Sequence, residues 1–328
     1  MKGLDGSRGR IGRIGAAALL MLALAACSAL AACSALPGAP AASLPAAAFD
    51  ADFLLIGEVH DNAAQHQLRL HWLEALAARR RFAIAFEQFD AVRQDALDRA
   101  RAADAAAAQN GEPLAQRARR IAEAAGFDFR GWHWGYYRPV VELALRRDLP
   151  LVAANLSRAQ IVAVARGSAP AEPPPESWGA AEERALEASI RDGHCGMLPE
   201  SAIAPMAAAQ RSRDAQLARA IVDAHRRSGL PVVLLAGNGH QRRDIGVPRY
   251  LAKLAPGARV FGIGLLEARE PGGDDGAGSV DDAAGEDAPE QRFGSRYDFA
   301  AVTPAAARED PCEALRAKMR HRPATAPQ

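Results

Sequence analysis

Glu58, His60, Glu87 and His240 each stand at or just beyond the end of a short apolar run, and their types suit acid–base or metal chemistry. Leu54-Leu55-Ile56-Gly57-Glu58-Val59-His60 closes one such run, and Val232-Val233-Leu234-Leu235-Ala236-Gly237-Asn238-Gly239-His240 closes another about 180 residues later. Both therefore end in Gly-x-x-His. A hydrophobic run ending this way sets an imidazole just past the tip of a buried strand, the edge at which open α/β sheets bind ligands. Glu87 follows Phe82-Ala83-Ile84-Ala85-Phe86, and Asn155 ends Ala153-Ala154-Asn155. A carboxylate directly after so apolar a strand is costly to bury unless it is paired, hydrated or metal-bound. For any one of these residues a strand-capping role is the ordinary one. Their convergence on a single edge is what marks a site.

Two chemistries fit the set. His60, Glu87 and His240 form a ligand set for a borderline divalent metal (Zn, Mn, Fe or Co). Glu58 is then a spare carboxylate that can act as general base toward metal-activated water, which makes the chain a hydrolase. Alternatively the histidines donate hydrogen bonds to a larger ligand. His66, His71 and His225 lie on helical patterns and are expected near solvent. No His-Glu-x-x-His, Gly-x-Ser-x-Gly or Gly-x-x-x-x-Gly-Lys occurs, so the common zincin, nucleophile-elbow and P-loop templates find no support.

Positioning these groups requires a sheet. Short apolar runs at 53–57, 82–87, 150–154, 231–236 and 259–265 alternate with helical patterns, and a further strand at 298–302 suits an edge. Continuous apolar strands separated by helices predict an α/β fold, with a mostly parallel central sheet flanked by helices. Helices are expected at about 62–80, 180–192 and 205–228, and a helical insertion at 91–136, with its periodicity clearest over 91–128, as a cap over the sheet. Residues 169–178 read as a proline loop. Residues 268–291, rich in Gly, Asp, Glu and Ala, read as a disordered surface loop.

Trp132-His133-Trp134-Gly135-Tyr136-Tyr137-Arg138-Pro139 concentrates aromatic residues in a chain with only 5% of them. The stretch serves either as a core plug between insertion and sheet or as one wall of a pocket for a flat ligand. Tyrosinate is an axial ligand for ferric haem, and Arg138, Arg213, Arg242 and Arg243 suit carboxylates such as propionates.

The N-terminus reads as an export signal. Lys2, Arg8, Arg10 and Arg13 precede the apolar stretch from Gly15 to Leu24, which is too short for a transmembrane helix. Leu24-Ala25-Ala26-Cys27 resembles a bacterial lipoprotein box, repeated at Leu30-Ala31-Ala32-Cys33. Cys27 is the expected lipidation site, with Cys33 the alternative. The expected organisation is therefore a signal over 1–26, a flexible tether over 27–48 and one domain over 49–328. Ser28 resembles an outer-membrane sorting residue, which gives a lipid-anchored location facing the periplasm or the surface. Export places Cys195 and Cys312 in an oxidising compartment and favours a disulfide between them. The absence of Cys-x-x-Cys-His rules out covalent c-type haem. With 40 basic and 39 acidic residues the chain has no basic field for nucleic acid.

Several of these segments together resemble the ChaN family. They are Ile56-Gly57-Glu58-Val59-His60-Asp61, Phe86-Glu87-Gln88-Phe89, Tyr137-Arg138-Pro139, Ala154-Asn155, Gln210 with Arg213-Asp214, and Ala236-Gly237-Asn238-Gly239-His240 running on to Asp244-Ile245-Gly246-Val247-Pro248. The resemblance runs from about residue 50 to 265. It implies an iron-regulated lipoprotein that binds haem, two facing haems across a homodimer, in haem and iron uptake. Tyr137 is then the first candidate for the haem ligand and Tyr250 the second, with Asn155, Arg213 and Arg243 lining the pocket. The wider superfamily includes Tiki metalloproteases, TraB proteins and erythromycin esterases. It implies the alternative, hydrolysis of an ester or peptide by Glu58, His60, Glu87 and His240.

Overall fold

The computed structural model describes residues 43–268 and 296–320. The signal segment, Cys27, Cys33, most of the expected tether and nearly all of the expected 268–291 loop lie outside the described residues. The packed domain starts earlier than residue 49. Leu44 and Ala48 are already buried, and the Arg79 guanidinium lies over the Phe49 ring at 3.9 Å.

Six strands form one sheet: β1 (Phe53–Ile56), β2 (Ala83–Asp90), β3 (Leu151–Asn155), β4 (Val232–Leu235), β5 (Val260–Glu267) and β6 (Phe299–Thr303). Their order is β3-β2-β4-β1-β5-β6 and every pairing is parallel. This is the expected α/β architecture. The tetrapeptides Phe53-Leu54-Leu55-Ile56 and Val232-Val233-Leu234-Leu235 are fully buried, as strands covered on both faces must be. The expected edge strand is β6.

Ten α-helices lie among the described residues. They are α1 (Ala63–Ala77), α2 (Gln94–Gln109), α3 (Leu114–Ala124), α4 (Trp134–Arg146), α5 (Arg158–Ala165), α6 (Ala180–Gly193), α7 (Glu200–Ser228), α8 (Asn238–Gln241), α9 (Val247–Leu254) and α10 (Pro311–Arg320). Asn62 caps α1 by accepting from the Gln65 amide at 3.0 Å. Gly229, at φ 68°, ends α7 in the left-handed conformation. One sheet face sends Phe53, Leu55, Val232 and Leu234 against Leu217, Ile221 and Val222 of α7 and Leu251 of α9.

Two features depart from the sequence reading. β2 continues through Glu87 to Asp90, because Gln88 and Phe89 are also buried and Phe89 stacks on Phe86 at 4.5 Å. Its pairing with β3 becomes irregular between Phe86 and Asp90. The helical stretch after residue 91 forms α2 and α3, and α2 sits against the edge of the sheet. Gln94 donates to the Leu151 carbonyl (3.2 Å) and accepts from the Ala153 amide (2.7 Å), which protects edge strand β3. Cys195 and Cys312 form a disulfide.

Candidate functional site

Because β1 and β4 are paired neighbours, with Ile56 opposite Leu235, their two Gly-x-x-His turns leave the sheet side by side. The Asn238 amide donates to the Glu58 carbonyl at 3.1 Å, joining the turns. Asn238 also ties this corner to β5 through the Leu265 backbone: its Nδ2 donates to the carbonyl (2.6 Å) and its Oδ1 accepts from the amide (2.9 Å). The absence of side chains at two glycines is essential. A Cβ at Gly57 would overlap the Asn238 carboxamide, and one at Gly237 would lie 3.0–3.1 Å from the His60 ring.

One half of the cluster centres on Glu58, which is 2% exposed. Its Oε1 accepts from Tyr137 Oη (2.6 Å), His60 Nδ1 (2.8 Å) and, more weakly, Gln88 Nε2 (3.4 Å). Its Oε2 forms an ion pair with the fully buried Arg69. Burial lowers the Arg69 pKa to about 10, so the guanidinium stays charged at neutral pH. Arg69 Nη2 in turn donates to His66 Nδ1 at 2.9 Å, while His66 Nε2 donates to the His60 carbonyl at 3.0 Å. These partners fix a neutral His66, whose pKa burial lowers to about 4. His66 is therefore an interior positioning group, not the near-solvent residue expected from sequence.

The other half centres on Glu87, 3% exposed. It accepts from the Gly237 amide (2.8 Å) and pairs with Arg213. Burial opposes its charge, but His240 and Arg213 overcome that and hold the carboxyl well below the usual carboxylate range. His240 Nδ1 donates to Asp214 at 2.5 Å, and its Nε2 faces Glu87 Oε1 at 3.4 Å. Burial alone would depress the His240 pKa; Asp214 and Glu87 outweigh it and raise it to about 9. His240 is thus an imidazolium between two carboxylates.

His60 differs. Its side chain is 45% exposed, and its ring meets Trp132 edge-on at 4.7 Å. Packing desolvates the ring and lowers its pKa below 6.5, aided by the charges of His240 and Arg213. The imidazole is neutral at pH 7. Its Nδ1–H is held by Glu58, which leaves the Nε2 lone pair as the basic position of the site.

The structure therefore brings Glu58, His60, Glu87, His240 and Arg213 together. The metal expectation for His60, Glu87 and His240 is not supported. Both His240 nitrogens face carboxylates, Glu87 is committed to Gly237 and Arg213, and no group of three or more His, Cys, Asp or Glu among the described residues is arranged to hold a metal ion. Asn155 accepts from the amide of the next residue, Leu156, at 2.9 Å, a turn-closing contact. Arg243 is half-exposed and pairs with Asp298 at 3.1 Å. Tyr250 is buried among residues of α7 and β4, and burial raises its phenol pKa. Tyr137 is fully buried, its phenol raised by burial and spent on Glu58, so it positions that carboxylate and presents no open oxygen.

The accessible phenol of the aromatic segment is Tyr136. It stacks on His66 (4.5 Å, 13°) and contacts His133 at 4.4 Å. With Leu70, Gly135 and Pro139 these rings line a mostly apolar groove of about 270 Å³ between α1 and α4. Sequence reasoning assigned no individual role to Asp214, Arg69 or Tyr136. Arg69 had a legible signal, since it interrupts the apolar stripe Leu68, Trp72, Leu73 and Leu76.

Residues 44–251 match the family described as haem-binding uptake, Tiki superfamily, ChaN. Among solved structures, that of cofacial haem binding to ChaN of Campylobacter jejuni is 22% identical and superposes with a TM-score of 0.58, over 68% of this chain and 84% of that one. An erythromycin esterase mutant in its open conformation is 12% identical with a TM-score of 0.39, over 66% of this chain and 70% of that one. No curated protein matches. With the family match spanning more than half of its length and the shared fold beside it, the chain belongs to the ChaN family of the Tiki superfamily.

Proposed function

We propose that this chain is a lipid-anchored haem-binding protein of haem and iron uptake, and that the groove between α1 and α4 receives the haem. The observation that carries the reading is the partly exposed Tyr136, laid flat on His66 within an apolar groove. A porphyrin needs a flat apolar contact and an oxygen or nitrogen donor for its iron. Tyr136 supplies the phenol, His133 a second ring at the rim, and Leu70 and Pro139 the apolar surface. Family membership favours the same ligand. The groove is open on one side, which leaves the other face of the haem for a second copy of the chain. Titration of the apoprotein with haemin should give a shifted Soret band that Tyr136→Phe abolishes or moves. A wild type without a shifted band would overturn the reading, and an unchanged Tyr136→Phe spectrum would remove the ligand assignment.

One observation favours a second reading, ester or peptide hydrolysis without a metal. The Glu58–His60 pair has the arrangement of a general base: a neutral imidazole oriented through Nδ1 by a carboxylate, with its Nε2 turned toward Gly237. Arg213, beside Glu87, is placed to stabilise developing negative charge. Activity across an ester and peptide panel should then fall about 100-fold or more in His60→Gln, with the rate in wild type rising as His60 deprotonates. A wild type that hydrolyses none of the panel counts against it.

A further inference from the structure

The segment from Thr303 to Cys312 joins β6 to α10 and does more than end the fold. It lies across the β1–α1 loop that carries Glu58 and His60. Arg308 donates to Asp61 at 2.6 Å and pairs with Glu267. Asn62 Nδ2 donates to the Pro304 carbonyl (2.9 Å) and to Glu267 Oε1 (2.6 Å), and the Ala306 amide donates to the same oxygen (2.9 Å). Gln65 Nε2 reaches Thr303 Oγ1 at 3.1 Å, while Gln65 Oε1 accepts from the Val59 amide. The strap thus contacts Asp61, Asn62 and Gln65, all just after His60, and is linked to Val59 through Gln65. All these contacts are polar. Asp61 is half-exposed and Arg308 about a quarter exposed, so they hold the strap only weakly by themselves.

The far end of the strap is held covalently. Cys312 is bonded to Cys195, in the link between α6 and α7, the helix that carries Gln210, Arg213 and Asp214. The disulfide therefore closes a band from the loop of His60 to the helix that positions His240. At Cys195 the backbone is in the left-handed region (φ 56°), followed by Gly196 at φ 64°. A non-glycine residue there is unfavourable and persists only where its surroundings enforce it. Cys195 is partly exposed whereas Cys312 is buried, which makes Cys195 the more accessible half of the bridge.

We propose that Cys195–Cys312 is a thiol-exchange clasp whose reduction releases the strap and opens the edge of the site at His60. The reductant is an external dithiol. One of its thiolates attacks Cys195 Sγ and expels Cys312 as thiolate, which takes up a proton. The second thiol resolves the mixed disulfide, freeing Cys195 as a thiol and leaving the dithiol oxidised. Two electrons and two protons pass to the protein. With its end free, the strap loses its covalent hold and keeps only its hydrogen bonds and ion pairs to Asn62, Gln65, Glu267 and Asp61, and the left-handed turn at Cys195 relaxes. The inference concerns access to the site and holds whichever ligand the site takes.

The test is amide hydrogen exchange on the full chain, oxidised and after dithiothreitol, together with the rate at which diethylpyrocarbonate modifies His60, using His60→Gln to assign the signal. Reduction should speed exchange over 304–312 and 59–62 by about tenfold or more, and accelerate His60 modification, while β1 and β4 stay protected. Cys195→Ser should show the fast behaviour without reductant and no further response to it. Arg308→Ala, with the disulfide intact, should speed 59–62 less than reduction does. Equal exchange at 59–62 in both redox states overturns the proposal. So does a disulfide that resists dithiothreitol in the folded protein, or a loss of protection spread equally over β1 and β4.

Discussion

At the scale of single residues, the two histidines of the repeated Gly-x-x-His turns have opposite electrostatic states. His60 faces solvent, is held by one carboxylate and is neutral; His240 is enclosed by Asp214 and Glu87 and is charged. The difference follows from which neighbours the fold supplies, since the local sequences are alike. It has a measurable consequence. A histidine whose folded pKa is raised from 6.5 to about 9 contributes stability that is complete below pH 6.5 and is lost as pH rises through about 9. The urea midpoint should accordingly fall across that interval. Asp214→Asn should bring the His240 pKa down toward 6.5, visible in an NMR titration, and flatten that part of the stability profile. A His240 that titrates near 6.5 in the wild type would contradict this account.

At the scale of elements, α1 and β1 are joined by an ion pair as well as by apolar packing. Arg69 on α1 is fully buried and its partner Glu58 follows β1. Removing one member leaves the other charged and desolvated, so Arg69→Met should cost about 3–5 kcal/mol in chemical denaturation. Pairing it with Glu58→Gln should recover part of that loss, because the buried charge is gone. How far this arrangement was legible in the sequence depended on the kind of signal. β1 and β4 were readable because four consecutive apolar residues bounded by glycine suit a strand buried on both faces. The end of β2 was not, since Glu87 and Gln88 interrupt the apolar run and only the tertiary structure shows both to be interior. Tyr136 and Tyr137 could not be told apart either. Neighbours on a helix point about 100° apart, and which of them faces the core depends on where α1 lies. The convergence of Glu58, His60, Glu87 and His240 was legible because each follows a short apolar run, whereas Asp214 lies mid-helix and is buried by the packing of α7.

At the scale of the whole molecule, the domain carries the site at the C-terminal ends of the three neighbouring central strands β2, β4 and β1. Among the described residues no helix is long and apolar enough to cross a membrane; the proposed attachment is through the lipoprotein box. Growth with radiolabelled palmitate should label the chain, and Cys27→Ser should abolish the label; persistence of the label would move the assignment to Cys33. The strand order has a further consequence, for assembly. Both neighbours of β1 are β4 and β5, which begin at Val232 and Val260. The first strand of the chain therefore has no hydrogen-bonding partner until some 180 later residues have been delivered to the same place. Pairings so distant in sequence are slow to form, because the intervening loop must be closed before any contact rewards it. A chain threaded across a membrane from its N-terminus would emerge with Phe53-Leu54-Leu55-Ile56 bare and adhesive. Until β4 arrives, that segment would be the part of such a chain most in need of a chaperone.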